Sequence, residues 1–76
     1  MQITWQTYKE ATKPNGQWRP CKVKDCAPCV IVDKNGTEHL GRVQISEEKA
    51  AYPLNGKEVT FVGPQVQYFY VLCRSK

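Results

Sequence analysis

The stretch from Asp33 to Gly36 constrains the fold of this chain more than any other. Its sequence, Asp-Lys-Asn-Gly, lies between two runs of residues that favour β-strands. Asn-Gly is typical of a two-residue type I′ turn, because both residues tolerate positive φ. We therefore expect a β-hairpin, with a central buried strand at Cys29–Val32 and a return strand at about Glu38–Ile45.

Most of the remaining chain shows the same pattern of short β runs separated by turn residues. In the last of these runs, alternation predicts that Tyr68 and Tyr70 share one face of a long strand. Pro20 has no N–H group, so its strand is expected to lie at an edge or to break there. Gly41 is a candidate bulge in the return strand. The other predicted strands are Ile3–Tyr8, Trp18–Lys24, Lys57–Val62 and Gln65–Arg74.

One segment, Ser46–Ala51, has helical character. Ser46 can cap a helix and the two glutamates that follow suit the positive end of the helix dipole. Pro53 limits this helical turn to residues 46–52. With five to six short strands around it, the sequence predicts a mostly β fold, a small curved sheet or barrel of SH3-like or OB-like type. Residues 1–76 are expected to form a single domain.

The composition excludes several classes of protein. A hydrophobic share of 41% argues against disorder, and no apolar run reaches the roughly 20 residues that span a bilayer. The N-terminal residues show no secretory signal, so we expect a cytoplasmic protein with reduced thiols and no membrane partner. A chain this short rarely builds both a substrate pocket and its supporting shell, so an enzyme is not expected.

The four cysteines permit three interpretations. Four thiolates can bind zinc tetrahedrally, and a C-x2-C pair is a common part of such sites. Buried or partly exposed free thiols are the favoured alternative, because cysteine often acts as a small core residue. The segment Cys26-Ala-Pro-Cys29 resembles the redox pair of thioredoxin-like proteins. Redox activity is disfavoured, because those proteins have an activating helix after the pair and this chain has a β run there. The candidate ligands, if zinc binds, are Cys21, Cys26, Cys29 and Cys73.

The net charge of +4 lies entirely in the first 24 residues, which also hold both tryptophans. A basic, aromatic lobe on a neutral body is typical of a surface that binds an acidic partner. If Trp5 is in the core and Trp18 is exposed, Trp18 could stack on nucleic-acid bases. Aromatic and arginine side chains equally serve as anchors in protein interfaces. The predicted partner-binding residues are Trp18, Arg19, Lys22, Lys24, Lys34, Arg42, Tyr68 and Tyr70.

The sequence therefore predicts a small non-enzymatic binding protein without a firm cofactor. It would act as a regulator or inhibitor that docks on a protein or nucleoprotein machine through the basic and aromatic surface. The alternative is a nucleic-acid-binding small β-barrel, with or without a zinc staple. No catalytic residue is predicted, because His39 and the two serines that follow it form no recognisable motif.

Overall fold

The computed structural model of the chain describes residues 2–76. Within this range the chain forms seven strands, a four-residue α-helix and a 3₁₀ helix. In chain order they are β1 (Ile3–Thr7), α1 (Tyr8–Ala11), β2 (Trp18–Pro20), β3 (Cys26–Val32), β4 (Glu38–Gln44), β5 (Lys49–Leu54), β6 (Lys57–Val62), the 3₁₀ helix (Pro64–Tyr68) and β7 (Tyr70–Ser75).

All strands belong to one antiparallel sheet in the order β1-β7-β3-β4-β5-β6. The short strand β2 pairs with β7 and ends at Pro20, which confirms the expected edge or break there. β3 pairs with both β4 and β7, so the predicted central strand is also confirmed. The mostly β fold is therefore as predicted. It is an open sheet rather than a closed barrel, and it has one strand more than the upper number expected.

The first hairpin has the predicted position and a different turn. The amide of Gly36 donates to the carbonyl of Asp33 over 2.9 Å, and Gly36 has φ of 80°. Asn35 has no positive φ, so the turn is type I followed by a left-handed glycine, not type I′. The Asp33 carboxylate accepts the amides of Asn35 and Thr37 and favours this turn.

The helical turn predicted at residues 46–52 is wrong. Residues 45–48 form a turn, and the chain then runs as β5 between β4 and β6. The missed signal is Asn55-Gly56, whose φ values of 52° and 79° make a type I′ turn between β5 and β6. Pairing on both sides of β5 outweighs the helix propensity of its alanines. Ser46 does not cap a helix; its hydroxyl donates to Asp25.

The long final strand is also divided. Gly63, with φ of 97°, turns the chain, and Pro64 opens the 3₁₀ helix because its fixed φ suits the first helical position. Val66 and Phe69 are three residues apart, so this geometry turns both toward the core, where both are buried. Tyr68 consequently lies in the 3₁₀ helix and not on a strand beside Tyr70.

The core lies on the inner face of the sheet, under α1 and the 3₁₀ helix. Thr7 caps α1 by accepting the amide of Glu10 over 3.2 Å. The Tyr8 hydroxyl, whose pKa is raised mainly by burial, donates to the carbonyl of Ile45 over 2.6 Å. The buried residues of this core are Tyr8, Ala11, Ala27, Cys29, Ile31, Val43, Ala50, Tyr52, Val66, Phe69, Val71 and Cys73.

Gly41 is not a bulge. Strands β3 and β4 pair in uninterrupted register from Cys26 opposite Gln44 to Val32 opposite Glu38. A Cβ atom on Gly41 would instead overlap the carbonyl oxygen of Ala51 on β5. The glycine therefore allows a close approach of β4 to β5.

Candidate functional site

The outer face of the sheet carries a group of apolar side chains that no part of the described chain covers. Side chains alternate along each strand, so burial of Val71 and Cys73 turns Tyr70 and Leu72 outward. In the same way, burial of Ile31 leaves its neighbour Val30 on the outer side of β3. We define the outer face by six of the apolar residues on this side, Ile3, Trp5, Val30, Leu40, Tyr70 and Leu72.

Strand register brings these side chains together from four adjacent strands. Trp5 lies opposite Leu72 across β1 and β7. Tyr70 lies opposite Val30, which in turn lies opposite Leu40. Leu40 is 70% exposed, Tyr70 43% and Trp5 42%. The outer face is thus an aromatic and aliphatic surface held on rigid strands.

The two tryptophans are placed the opposite way from the arrangement under which Trp18 could stack on bases. Trp18 is only partly exposed and packs against the core, whereas Trp5 is on the outer face. The cause is the pairing of β1 with β7, which turns the apolar side of β1 away from the core. Sequence alternation correctly groups Ile3 with Trp5, but it does not say which way the pair faces.

Three of the predicted basic residues gather at one end of the outer face. Arg19, Lys22 and Lys24 line a groove of about 640 Å³ together with Arg74, which the sequence analysis did not select. The signal for Arg74 is its register position, directly opposite Arg19 in the β2–β7 pair. We call this the basic groove; its remaining lining residues are Ile3, Pro20, Cys21 and Val23.

The other predicted binding residues lie elsewhere. Lys34 is exposed at the tip of the β3–β4 hairpin. Arg42 is on the outer side of β4, where its guanidinium pairs with the Glu58 carboxylate over 2.8 Å. Tyr68 is 73% exposed on the 3₁₀ helix, which covers the inner face. Of the two predicted tyrosines, only Tyr70 belongs to the outer face.

The structure separates the cysteines into two classes. Cys29 and Cys73 are fully buried, and burial raises the pKa of both thiols to about 11. Cys21 and Cys26 are partly exposed. Within residues 2–76, no group of three or more Cys, His, Asp or Glu side chains is arranged to hold a metal ion. Side-chain alternation along β3 and β7 accounts for the two classes, because it turns the sulfur atoms of Cys29 and Cys73 into the core.

His39 and Asp33 form a polar contact within the β3–β4 hairpin, on the inner side of the sheet. The His39 Nε2 atom lies 2.8 Å from the Asp33 carboxylate, and this contact lowers the pKa of Asp33. The His39 ring also stacks on Tyr52. The contact with Asp33 holds His39 within the β3–β4 hairpin, and the stack on Tyr52 connects the hairpin to β5. Both contacts have a structural role.

Comparison with known proteins identifies the family of this chain. The sequence matches the MFP2b family, described as a cytosolic motility protein, over residues 1–76. The chain belongs to this family. Its fold is similar to the crystal structure of the nematode sperm cell motility protein MFP2B, with a TM-score of 0.85 and 30% sequence identity. That similarity covers 97% of this chain and 22% of the MFP2B chain. No curated protein matches the sequence.

Membership in the MFP2b family bears on one of the broader expectations. The family description, a cytosolic motility protein, supports the predicted cytoplasmic location. Neither helical segment within residues 2–76 has the length and hydrophobicity needed to cross a membrane.

Proposed function

We propose that residues 1–76 form a single domain that docks on the protein machinery of cell motility and catalyses no reaction. The outer face is the contact surface, and the partner is a protein subunit of the cytoskeletal filaments in the same cytosol. Support comes from the family, whose members are motility proteins, and from the nematode sperm protein with a similar fold. This proposal keeps the first alternative predicted from the sequence, a regulator or inhibitor that docks on a protein machine.

The observation that carries the proposal is the composition of the outer face. Contiguous apolar patches on a protein surface commonly mark interaction sites. Trp5 and Tyr70 are of the residue types that anchor protein interfaces, because each buries a large area with little loss of side-chain entropy. Both are held by strand pairing, so docking requires little ordering of the backbone.

The alternative of nucleic-acid binding loses its main support in the position of Trp18. Single-stranded nucleic acids are bound by rings that are free to stack on bases beside positive charge. Trp18 packs against the core, and the basic groove is lined by aliphatic and cationic side chains without an aromatic ring. The family description, a cytosolic motility protein, further favours an acidic protein as the partner of the cations in the groove.

Co-sedimentation with filaments assembled in clarified nematode sperm cytosol tests the proposal. We expect the wild-type domain to pellet with the filaments and Trp5→Ala or Tyr70→Ala to pellet much less. Each truncation of an interface anchor typically costs about 1–2 kcal/mol, which corresponds to a loss of affinity of roughly 5–30-fold. A thermal melt of each variant establishes that the domain is folded.

Tyr68→Ala is the matched control, because Tyr68 is an exposed tyrosine outside the outer face. It is expected to pellet as well as the wild type. Equal losses from Tyr68→Ala and Tyr70→Ala would remove the assignment to the outer face. Unchanged pelleting of both Trp5→Ala and Tyr70→Ala would refute the proposed function.

A further inference from the structure

The basic groove is lined by positive charges and by no carboxylate. Its four cations are Arg19, Lys22, Lys24 and Arg74, and no acidic residue lines it. Within residues 2–76, the ion pairs that form involve other basic residues, Lys13, His39 and Arg42. The groove is therefore a local excess of positive charge that the described chain does not balance.

Arg19 and Arg74 are the most closely opposed members of this set. They face each other directly in the β2–β7 pair, an arrangement that is unfavourable for like charges. The Arg19 guanidinium is held in place by the carbonyls of Gly16 and Trp18, at 2.9 and 2.8 Å, and more weakly by that of Pro14. These contacts fix its orientation and leave its charge uncompensated.

The nearest acidic residue does not neutralise the groove. Lys22 contributes to the lowered pKa of Asp25, so the two charges interact. The main cause of that lowered pKa is the hydrogen bond from the Ser46 hydroxyl, and the Asp25 carboxylate also accepts the Ser46 amide over 3.1 Å. Asp25 is thus engaged with the turn before β5 and does not line the groove.

Lys24 occupies a backbone position that normally favours glycine. It has φ of 60° and is the first central residue of the tight turn closed by hydrogen bonds between Val23 and Cys26. Such a turn is of type II′, in which glycine is preferred at this place. A lysine here supplies charge at the rim of the groove at some cost in backbone strain.

We infer that the basic groove binds an extended acidic segment of the protein partner, with Glu or Asp side chains alternating with apolar ones. Carboxylates would pair with Arg74 and Lys24 and relieve the repulsion between the two arginines. The apolar side chains would contact Ile3 and Val23, both of which are exposed. This inference rests on the proposed function, since it takes the partner to be a protein.

Continuity with the outer face supports a protein segment as the occupant. Ile3 belongs both to the outer face and to the lining of the groove, and Arg74 follows Leu72 on the same side of β7. A partner anchored on Trp5 could extend its chain directly into the groove. Opposite charges at such a rim raise association rates and specificity.

A short fluorescent peptide in which Glu alternates with Leu and Gly is the probe. Its binding to the intact 76-residue chain is measured by fluorescence anisotropy, beside the same peptide with Gln for Glu and a single-stranded DNA of similar length. We expect binding of the Glu peptide that weakens as salt rises, and little binding of the Gln peptide. Equal binding of the two peptides, or tighter binding of the DNA, would overturn the inference.

The variants separate lost charge from lost folding. Lys24→Gly removes a charge and also relieves the positive φ, so it is expected to bind the Glu peptide less while melting at the same or a higher temperature. Together with Arg74→Gln, the loss should be about tenfold, the combined effect of ion pairs at two exposed side chains. Lys57→Gln, at the start of β6, is the charge-matched control and should bind normally.

The two proposals fail in different ways. If the cation variants bind the Glu peptide as well as the wild type does, the groove assignment is wrong, regardless of the co-sedimentation result. If the peptide results are as expected but Trp5→Ala and Tyr70→Ala still pellet with filaments, the groove assignment stands and the outer-face assignment is wrong.

Discussion

The imidazole ring of His39 lies flat on the phenol ring of Tyr52, with the ring centroids 3.9 Å apart and the planes at 7°. The two residues belong to adjacent strands, β4 and β5, and His39 also contacts Asp33 at the hairpin. The stack depends on Gly41, since a Cβ atom there would approach the Tyr52 Cβ to 3.0 Å. One glycine thus fixes how closely the two halves of the sheet meet.

Gly41→Ala is expected to destabilise the fold by about 1–3 kcal/mol, the usual cost of forcing atoms into a packed site. The new methyl group would overlap the Ala51 carbonyl, so β4 and β5 must separate. Urea unfolding measures the loss, and the ring-current shift of His39 should fall in the NMR spectrum. Gly16→Ala, where the nearest atom is the Lys13 Cβ at 3.1 Å, serves as the control and should cost less. An unchanged unfolding free energy for Gly41→Ala would show that the strands tolerate a side chain there.

The Asp33 carboxylate should make stability depend on pH in the acid range. Its pKa is lowered in the folded state, mainly by the hydrogen bond with His39 and further by the amides of Thr37 and Asn35. Its contribution is therefore fully present above the unfolded pKa of about 3.9 and is lost as the pH falls through the folded value. Melting temperatures of wild type and Asp33→Asn should differ at pH 6 and converge at the acid end. A constant difference across this range would contradict the assignment.

Thiol reactivity should divide the cysteines into two pairs. Cys29 and Cys73 are buried with pKa values raised to about 11, so in the native protein they should react slowly with a thiol reagent. Cys21 and Cys26 are partly exposed and should react first. A colorimetric thiol assay should find two fast groups in the native state and four in denaturant. Four fast groups without denaturant would refute the buried positions.

The Asn55-Gly56 turn should be sensitive at the glycine and tolerant at the asparagine. Both residues have positive φ, which alanine adopts only with strain. Gly56→Ala is expected to destabilise the fold by about 1 kcal/mol or more, whereas Asn55→Gly should be nearly neutral. Chemical denaturation of the two variants gives the comparison. Tolerance of alanine at position 56 would mean that the type I′ turn does not form in solution.

The exchanged roles of the tryptophans can be read from fluorescence. Trp18→Phe leaves only Trp5, whose emission should be red-shifted and readily quenched by iodide, because its ring is exposed on the outer face. Trp5→Phe leaves Trp18, which packs against the core and should be better shielded. The reverse order of quenching would instead support an exposed Trp18 that is free to stack on bases.

The sequence alone determined those features that depend on neighbouring residues. Alternation in β1 and β6, the apolar run within β3 and the turn at Asp33–Gly36 follow from local backbone preferences, so the mostly β class could be predicted. The presence of cations near Trp18 was equally visible. The turn at Asn55-Gly56 carried the same kind of signal and would have identified β5 and β6 as a hairpin.

Tertiary structure decided which way each element faces and which of two local preferences prevails. Lys49–Leu54 becomes a strand because β4 and β6 supply hydrogen bonds on both sides, and Pro64–Tyr68 leaves the strand because Val66 and Phe69 both reach the core. The outer face exists because β1 pairs with β7, from the opposite end of the chain. Burial of a side chain depends on such distant pairings, and alternation along one strand fixes only which residues share a face.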